Sequence, residues 1–214
     1  MDILTVTLNL LKGFAVTCEL FGLTLLFSLP LGLLISFGSK SGIKFIRVII
    51  RSFIWVIRGT PLMLQVITVY YGPALLFQWG LLPRFAAVLI AFVINYACYF
   101  AEIFRGGISA VPEGQYEAGA VLGLTKRQIF CKIVLLQVIK NVLAPISNEI
   151  ITLVKDTSLA RVIMVEEILF RAQKYTAYGY ILPLFYSGVF YLLFVGALTL
   201  LFNYAEKKLA YIKV

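Results

Sequence analysis

Residues 113–137 read EGQYEAGAVLGLTKRQIFCKIVLLQ, a polar stretch between two strongly apolar parts of the chain. Glu113 suits the first turn of a helix, because a negative charge there interacts favourably with the helix dipole. Gly123 can adopt the left-handed conformation that ends such a helix. Thr125, three residues before Gln128, predicts a capping box that starts a second helix. We therefore expect two short amphipathic helices joined by a tight turn, and we call them the hairpin.

The hairpin, at about residues 112–135, must be covered by something outside its own two helices. On the second helix, helical spacing places Ile129, Ile133 and Leu136 on one face. The first helix has few basic residues and is expected to expose small ones, which are Ala118, Gly119 and Ala120. A pair of helices resting on lipid head groups is one interpretation. The small residues favour the other, which is close approach by the backbone of a second protein.

The composition is that of a membrane protein. The chain has 214 residues, of which 61% are hydrophobic and 14% are charged, and its mean hydropathy is +0.96. Soluble domains usually carry about 25% charged residues. Runs of about 20 apolar residues are needed to cross a bilayer, and long apolar runs lie at 20–39, 59–83, 85–101 and 175–205, with a shorter one at 141–154. The sequence predicts an all-α polytopic membrane protein with about five transmembrane helices.

The five spans are expected at about 17–37, from the basic segment to 77, 84–104, 140–154 and 180–204. Arg58-Gly59-Thr60-Pro61 interrupts the second span. There, Thr60 can cap a new helix and Pro61 can take its first position. We expect residues 1–214 to form a single transmembrane domain. The first apolar segment lacks the basic start and cleavage site of a signal peptide, so we expect it to be retained.

The net charge of +9 is unevenly distributed along the chain. By the positive-inside rule, basic connections lie in the cytoplasm, which predicts an N-terminus outside the cell and a cytoplasmic C-terminus. The rule accounts for the basic residues without nucleic acid as a partner. The three basic groups are Lys40, Lys44, Arg47, Arg51 and Arg58, then Arg105, Lys126, Arg127, Lys132 and Lys140, and finally Lys207, Lys208 and Lys213.

Residues for enzymatic chemistry are scarce. The chain has no histidine, which removes the most usual general acid or base and the common triads. Cys18, Cys98 and Cys131 show no metal-ligand spacing and are interpreted as small hydrophobic residues. An intramembrane enzyme would require clustered carboxylates, and the adjacent acidic pair Glu166-Glu167 is expected on the outer side. We predict no catalytic residues and no metal site.

The fourth span looks too short. From Lys140 to Val154 a helix rises only about 21 Å, so that the following Lys155-Asp156-Thr157-Ser158 would lie within the bilayer. Polar residues at that depth are typical of a discontinuous transporter helix. The alternative is an ordinary helix end at the outer surface, with Lys155 extending to the head groups. The spacing leaves both open.

The hairpin also carries a family pattern. It has Glu117-Ala118-Gly119, then Gly123, then Ile133-Val134-Leu135-Leu136. This resembles the EAA, three residues, Gly, nine residues, Ile-x-Leu-Pro loop of permease subunits of type I ABC importers. Gly119 replaces the second alanine and Leu136 replaces the proline. Glycine weakens a helix by up to about 1 kcal/mol relative to alanine.

Three further segments narrow the resemblance to the subfamily that takes up polar amino acids. IRGTPLMLQ (57–65) is similar to its Arg-Gly-Thr-Pro segment, and LVKDTSLARVI (153–163) is similar to its Lys-Asp-Thr-Ser-Leu segment. AEIFRGGISAVPEGQYEAG (101–119) matches closely. The segments occur in the family's order and cover most of the chain.

The resemblance implies a MetI-like permease fold in the bacterial cytoplasmic (inner) membrane. Such permeases form homo- or heterodimers and bind two cytoplasmic ABC ATPase subunits, while an extracytoplasmic binding protein delivers the substrate. ATP and Mg are used by the ATPase, and the permease itself binds no cofactor. The hairpin docks on the ATPase as a coupling helix, a role that the resemblance carries to Glu117, Ala118, Gly119, Gly123 and Leu124.

The resemblance also suggests a binding site for the zwitterionic amino acid. Lys155, Thr157 and Ser158 can donate to its carboxylate, and Asp156 can accept from its ammonium group. The competing interpretation is a structural Lys155–Asp156 pair. Arg58, with Thr60 beside it, is expected either to line the pathway, to pair with Glu102, or to extend the basic cluster.

A rival function is an ion-gradient-driven secondary transporter or a channel subunit. Such a protein would need no soluble partner, and the cytoplasmic hairpin would then have little purpose.

Overall fold

The computed structural model describes residues 3–209, and the regular structure within them is helical. Lys213 of the last basic group lies outside these residues. The α-helices are α1 (Ile3–Ser39), α2 (Lys44–Arg58), α3 (Leu62–Phe77), α4 (Arg84–Ser109), α5 (Glu113–Val121), α6 (Lys126–Ile129), α7 (Leu135–Asp156), α8 (Ile168–Lys174) and α9 (Leu182–Leu209). Phe130–Val134 forms a π-helical turn, and Thr157–Ile163 and Tyr175–Tyr178 form 3₁₀ helices.

About five spans are confirmed. Four segments are long and apolar enough to cross a bilayer, namely α1, α4, the segment Lys126–Ile163 and α9. The pair α2–α3 passes the same test as a fifth span, although its two helices are bent by 104°. The first helix is longer than expected, because its 37 residues begin at Ile3 and not near residue 17.

The core is built around α4, which packs against α1, α3 and α7. Its side chains Phe92, Tyr96 and Phe100 are fully buried. The residues of α1 that face α4 are mostly small. Gly32 lies so close to α4 that an added Cβ would be 2.8 Å from the carbonyl oxygen of Ala97. Lipid chains are as apolar as leucine, so helices in a membrane associate through such close packing.

The interruption of the second span is confirmed, but its capping differs from the prediction. Gly59 ends α2, and Pro61 is the N-cap of α3 rather than its first residue. Thr60 makes no cap. Its hydroxyl donates back to the carbonyl oxygen of Val56 at 3.0 Å, which satisfies a group freed at the end of α2.

The turn of the hairpin follows the prediction. Helix α5 begins at Glu113, with Pro112 as its N-cap. Gly123 has a φ of +72°, a conformation that glycine adopts without steric cost. Thr125 and Gln128 form the capping box, in which the Gln128 N–H donates to Thr125 Oγ1 at 3.3 Å and the Thr125 N–H donates to Gln128 Oε1 at 2.9 Å.

The second helix of the hairpin is not a separate short helix, and this prediction was wrong. Helix α6 continues through the π-helical turn into α7, and the whole segment Lys126–Ile163 runs for 38 residues. The expected face of Ile129, Ile133 and Leu136 is also wrong, because Leu136 is exposed. A π-helical turn adds one residue per turn and thereby shifts the buried face to Ile129, Val134, Val138 and Val142.

Gly119 was expected to be exposed, but it is buried inside the hairpin. A Cβ at this position would lie 2.7 Å from Cγ1 of Ile129. The glycine that departs from the EAA pattern therefore lets the two helices of the hairpin approach each other. Ala118 and Ala120 are exposed as expected.

The fourth span does not break at Lys155–Ser158. The α-helix continues to Asp156 and then tightens to a 3₁₀ helix that ends at Ile163, before Met164 at a φ of +62°. The expected short span is corrected because the helix begins at Lys126 and passes Lys140 without interruption.

The connection to α9 is held against α1. Glu167 caps α8 by accepting from the backbone N–H groups of Leu169 and Phe170, at 2.7 and 2.6 Å. Burial raises the pKa of Glu167. By contrast, the hydrogen bond from Lys174 lowers the pKa of the more exposed Glu166.

We predict that Gly119→Ala destabilises the protein by about 1–2 kcal/mol, because overpacking against Ile129 outweighs the better helix propensity of alanine. The measurement is thermal unfolding of the purified chain. Gly114→Ala is the matched control, since a Cβ there meets nothing within 4 Å. The double variant Gly119→Ala/Ile129→Ala should lose less than the sum of the two single losses. Strict additivity would contradict the packing explanation.

Candidate functional site: a polar cavity beside the fourth span

A polar cavity of about 400 Å³ lies between the start of α3, the middle of α4 and the second half of α7. Cavities that bind small molecules have a few polar groups converging on a partly apolar space. The lining residues are Thr60, Pro61, Leu62, Asn95, Tyr96, Tyr99, Glu149, Thr152, Asp156 and Leu159.

Helical spacing brings the polar side chains to the cavity. Glu149 and Asp156 are seven residues apart on α7, which is two turns, so both carboxylates are on one face. On α4, Tyr96 and Tyr99 are three residues apart and share a face in the same way. Two acids and two phenols thus surround one space.

Asp156 is oriented by a tyrosine. The hydroxyl of Tyr96, whose side chain is almost fully buried, donates to Asp156 Oδ2 at 2.7 Å. A hydrogen bond to a carboxylate is shorter and stronger than one between neutral groups. The carboxylate therefore has a fixed position at the cavity wall and a remaining oxygen that can accept another donor.

Gln65 fixes the corner between α2 and α3. Its side-chain amide donates to the carbonyl oxygen of Ile57 at 2.7 Å and to the hydroxyl of Thr60 at 2.9 Å. Its Oε1 accepts from the side-chain amide of Asn95 at 3.0 Å. One side chain thus links the end of α2, the corner and α4, and it satisfies backbone groups that the bend leaves without helical partners.

A second cavity of about 310 Å³ adjoins the first, and Tyr99 and Glu149 line both. Arg58 lies in the second cavity, with its Cζ atom 5.0 Å from the centre of the Tyr99 ring. The expected pair of Arg58 with Glu102 is not formed, because Glu102 is bound by Arg105 one turn further along α4. The two cavities are therefore neighbours along α4 and α7.

The predicted substrate residues do not all meet in one place. Thr60 and Asp156 line the first cavity, and Arg58 lines the second. Lys155 and Ser158 line a separate pocket of about 300 Å³ towards α9. Thr157 is fully buried and donates to the carbonyl oxygen of Val154 at 2.6 Å.

Helical geometry explains the separation. Consecutive residues of a helix point about 100° apart, so Lys155 and Asp156 face different neighbours. No ion pair joins these two side chains in the described part of the chain. The interpretation of a structural Lys155–Asp156 pair is therefore not supported by a contact.

Five polar residues of the first cavity were missed from the sequence, namely Asn95, Tyr96, Tyr99, Glu149 and Thr152. Glu149 offered a signal, because it interrupts the apolar run at 141–154 two turns before Asp156. Asn95 is a polar residue in the middle of the apolar run at 85–101. The two tyrosines offered none, because aromatic residues are common in any apolar helix.

The predicted coupling residues lie together on the hairpin. Glu117, Ala118 and Gly123 are exposed, Leu124 is half-buried, and Gly119 is buried against Ile129. The tip also presents Val121 and Leu122, which are 88% and 76% exposed. Two strongly exposed aliphatic side chains beside an exposed carboxylate form a surface suited to a protein partner.

About five apolar spans, two neighbouring cavities with polar linings between the helices and a helical hairpin are typical of a helical membrane transport protein. Residues 28–209 match the family described as binding-protein-dependent transport system inner membrane component. The match covers more than half of the chain, and the chain belongs to this family.

Individual relatives agree with the family. The chain is 36% identical over 211 residues to the arginine transport system permease protein ArtQ of Bacillus subtilis, with 94% of this chain and 92% of the relative covered. It is 36% identical over 163 residues to the L-cystine transport system permease protein TcyB of the same species, with 76% and 68% covered.

A crystal structure of an amino acid ABC transporter with histidines matches with a TM-score of 0.88 and 31% identity, over 97% of this chain and 99% of that one. The resemblance to permeases of amino acid ABC importers and the permease fold are confirmed. The protein is an ABC permease of the bacterial cytoplasmic membrane.

We predict that Gln65→Leu destabilises the protein by about 1–2 kcal/mol, because hydrogen bonds within a membrane contribute up to roughly that amount. The Ile57 carbonyl oxygen and the Thr60 hydroxyl would lose their donor, and the Asn95 amide would lose its acceptor. Thermal unfolding in detergent measures the loss. Thr68→Val is the control, since Thr68 is exposed one turn further along α3. Equal stability of both variants would show that Gln65 does not hold the corner.

Proposed function

We propose that this chain forms the translocation pathway of an ATP-driven importer for a polar amino acid. The observation that carries the proposal is the cavity in which two carboxylates, an amide and two phenols converge within the membrane. Polar groups at that depth are costly unless they serve a path or a partner. Relatives named for arginine and L-cystine transport support an amino acid as the substrate.

The site suits a zwitterion. Asp156 and Glu149 can accept hydrogen bonds from an ammonium group, while Arg58 in the adjoining cavity can bind a carboxylate with two parallel hydrogen bonds. Thr60 is two residues after Arg58, at the α2–α3 corner, and lines the first cavity. Lys155, Thr157 and Ser158 then serve to fix the shape of the segment around Asp156.

The partners follow from the same proposal. A second permease chain closes the pathway as a homo- or heterodimer, two ABC ATPase subunits use ATP and Mg in the cytoplasm, and an extracytoplasmic binding protein supplies the amino acid. In this arrangement the chain itself binds no cofactor and performs no catalysis. The N-terminus is outside the cell and the C-terminus is cytoplasmic, as the basic residues favour.

The continuous helix connects the hairpin to the site. Helix α6, the π-helical turn and α7 join the hairpin to Glu149 and Asp156 without a break in the helical backbone. Glu117 and the tip lie before this segment, and they connect to it through the turn at Gly123 and the packing of Gly119 against Ile129. An ion-gradient-driven transporter would not need a helical connection between a cytoplasmic hairpin and the cavity. The family membership also favours the ATP-driven importer.

We predict that Asp156→Asn lowers ATP-dependent uptake by at least about tenfold, because the substrate's ammonium group loses a charged acceptor, a difference of about 1.4 kcal/mol or more. Uptake of radiolabelled arginine, cystine, histidine and glutamine into vesicles containing the whole complex is the measurement.

Lys155→Gln is the matched control and should change uptake less than about twofold, since Lys155 faces another pocket. If Asp156→Asn left the uptake of every transported substrate unchanged, the assignment of Asp156 to the substrate site would be wrong. A loss of equal size in the control would place the site on both faces of the helix.

We also predict that Glu117→Lys prevents co-purification of the ATPase subunits, because the reversed charge would repel a basic partner group. Gln115→Lys, on the opposite side of α5, should retain them. Full retention by Glu117→Lys together with normal coupling of ATP hydrolysis to uptake would contradict docking through this residue.

A further inference from the structure

A third pocket adjoins the second cavity, and we call it the α2 pocket. Its volume is about 290 Å³, and Arg58 and Glu102 line both this pocket and the second cavity. The second cavity in turn shares Tyr99 and Glu149 with the first. The α2 pocket and the first cavity have no lining residue in common. The other residues that line the α2 pocket are Arg51, Ile54, Trp55 and Arg105.

The α2 pocket lies near the ends of α1 and α4. Arg51 donates from Nε to the carbonyl oxygen of Ser39, the last residue of α1, at 3.2 Å. Arg105 is one turn before Ser109, the last residue of α4. Lys40, directly after α1, donates to the hydroxyl of Ser109 at 3.2 Å. In the proposed orientation α1 starts outside the cell, so this end of the molecule is cytoplasmic.

Two of the three guanidinium groups in the α2 pocket have no acidic partner. Arg105 binds Glu102 through Nε and Nη2, whereas Arg51 and Arg58 form no ion pair among residues 3–209. Within the same residues Arg51 forms its hydrogen bond through Nε, which leaves both Nη groups as donors. Guanidinium groups bind a carboxylate or a phosphate through two parallel hydrogen bonds. The pocket therefore offers a site for an oxyanion.

Glu102 adds an acceptor to the same pocket. An ionised carboxylate has about four lone-pair sites, and Arg105 uses one site on each oxygen of Glu102. Each oxygen can therefore accept a further hydrogen bond from an ammonium group. Unpaired guanidinium groups together with a carboxylate are complementary to a ligand that carries both a carboxylate and an ammonium group.

We propose that the α2 pocket is an exit site, which binds the amino acid after it leaves the second cavity. Arg51 and Arg58 bind its carboxylate, and Glu102 accepts from its ammonium group. The inference rests on the proposed function, because the importer supplies the ligand from the neighbouring cavity. An amino acid is chosen over free phosphate because Arg58 and Glu102 line both spaces. A zwitterion can therefore pass between them without leaving either partner.

The shared arginine makes the exit site inhibitory. While the guanidinium group of Arg58 holds a carboxylate in the α2 pocket, it is not free to bind one in the second cavity. An amino acid that has accumulated in the cytoplasm therefore occupies the exit site and slows further uptake. The importer is thus inhibited by its own product within the membrane subunit.

Trp55 reports binding directly, because it lines the α2 pocket. The chain contains two tryptophans, Trp55 and Trp79, so Trp79→Phe leaves one reporter in the full-length chain. In detergent, this chain is titrated with free L-arginine, L-glutamine, L-argininamide, which lacks the carboxylate, and inorganic phosphate at constant ionic strength. We expect saturable fluorescence changes with the two amino acids. Arg51→Gln should weaken their binding by about tenfold or more, because charge-assisted hydrogen bonds are lost.

Two further variants serve as controls for the titration. Arg47→Gln removes the same charge from the same helix, and Arg47 does not line the α2 pocket. It should leave the titration unchanged. Asp156→Asn alters the first cavity and should also leave the response of Trp55 unchanged, so that an error in the first site does not affect this test.

Uptake provides a second measurement that does not depend on Trp55. Vesicles containing the whole importer are preloaded with ATP and unlabelled substrate, and the initial uptake of radiolabelled substrate is compared with that of vesicles loaded with ATP alone. At an internal concentration equal to the Kd of the exit site, half of the sites are occupied and the rate should fall about twofold. Arg51→Gln should bring the ratio of the two rates close to one, and Arg47→Gln should retain the wild-type ratio.

The other outcomes overturn the proposal. Equal affinity for L-argininamide and L-arginine would mean that the arginines do not bind the carboxylate. Saturable binding of phosphate without binding of either amino acid would identify a free anion as the occupant. The absence of both a fluorescence change and an effect of preloading, or a preloading effect that Arg51→Gln leaves intact, would show that the α2 pocket is not an exit site. Absence of ATP-dependent uptake for every amino acid would instead contradict the proposed function.

Discussion

The unbroken helical backbone from Lys126 to Ile163 is the constraint on which the rest of the structure depends. Its 38 residues rise about 57 Å, which is enough to join the hairpin to the polar cavity in one element. Pro145 lies inside it without ending it, as membrane helices allow when neighbours pack around the freed carbonyl group. The π-helical turn at Phe130–Val134 aligns the buried face of the lower part with α4. The second half of the hairpin and both carboxylates therefore belong to one continuous helical segment.

The opposite wall of the cavity is held by hydrogen bonds. Gln65 satisfies groups on α2, on the corner and on α4, and Tyr96 reaches from α4 across to Asp156. These bonds have few competitors in a membrane because water is scarce. The Tyr96–Asp156 hydrogen bond therefore joins the two walls of the first cavity, α4 and α7.

Local rules predicted the features that depend on neighbouring residues alone. The turn at Gly123, the capping box at Thr125 and the interruption at residues 58–61 were all evident in the sequence. Features that depend on tertiary packing were not. Gly119 was assigned to a partner's surface because nothing local shows that Ile129 fills the space beside it. The π-helical turn likewise shifts the buried face by one residue, and no single residue in the sequence indicates that such a turn will form. The spacing of Glu149 and Asp156 was readable, but it carried meaning only once α4 supplied the facing tyrosines.

The two neighbouring cavities differ in the charged residues that line them. Two acids, Glu149 and Asp156, line the first cavity, and Arg58 and Glu102 line the second. Arg58 therefore shares the second cavity with Glu149, and its guanidinium group lies over the Tyr99 ring. The lining of the first cavity has two carboxylates and no basic side chain, so the positive charge of Arg58 in the adjoining cavity would favour a zwitterion over a simple cation.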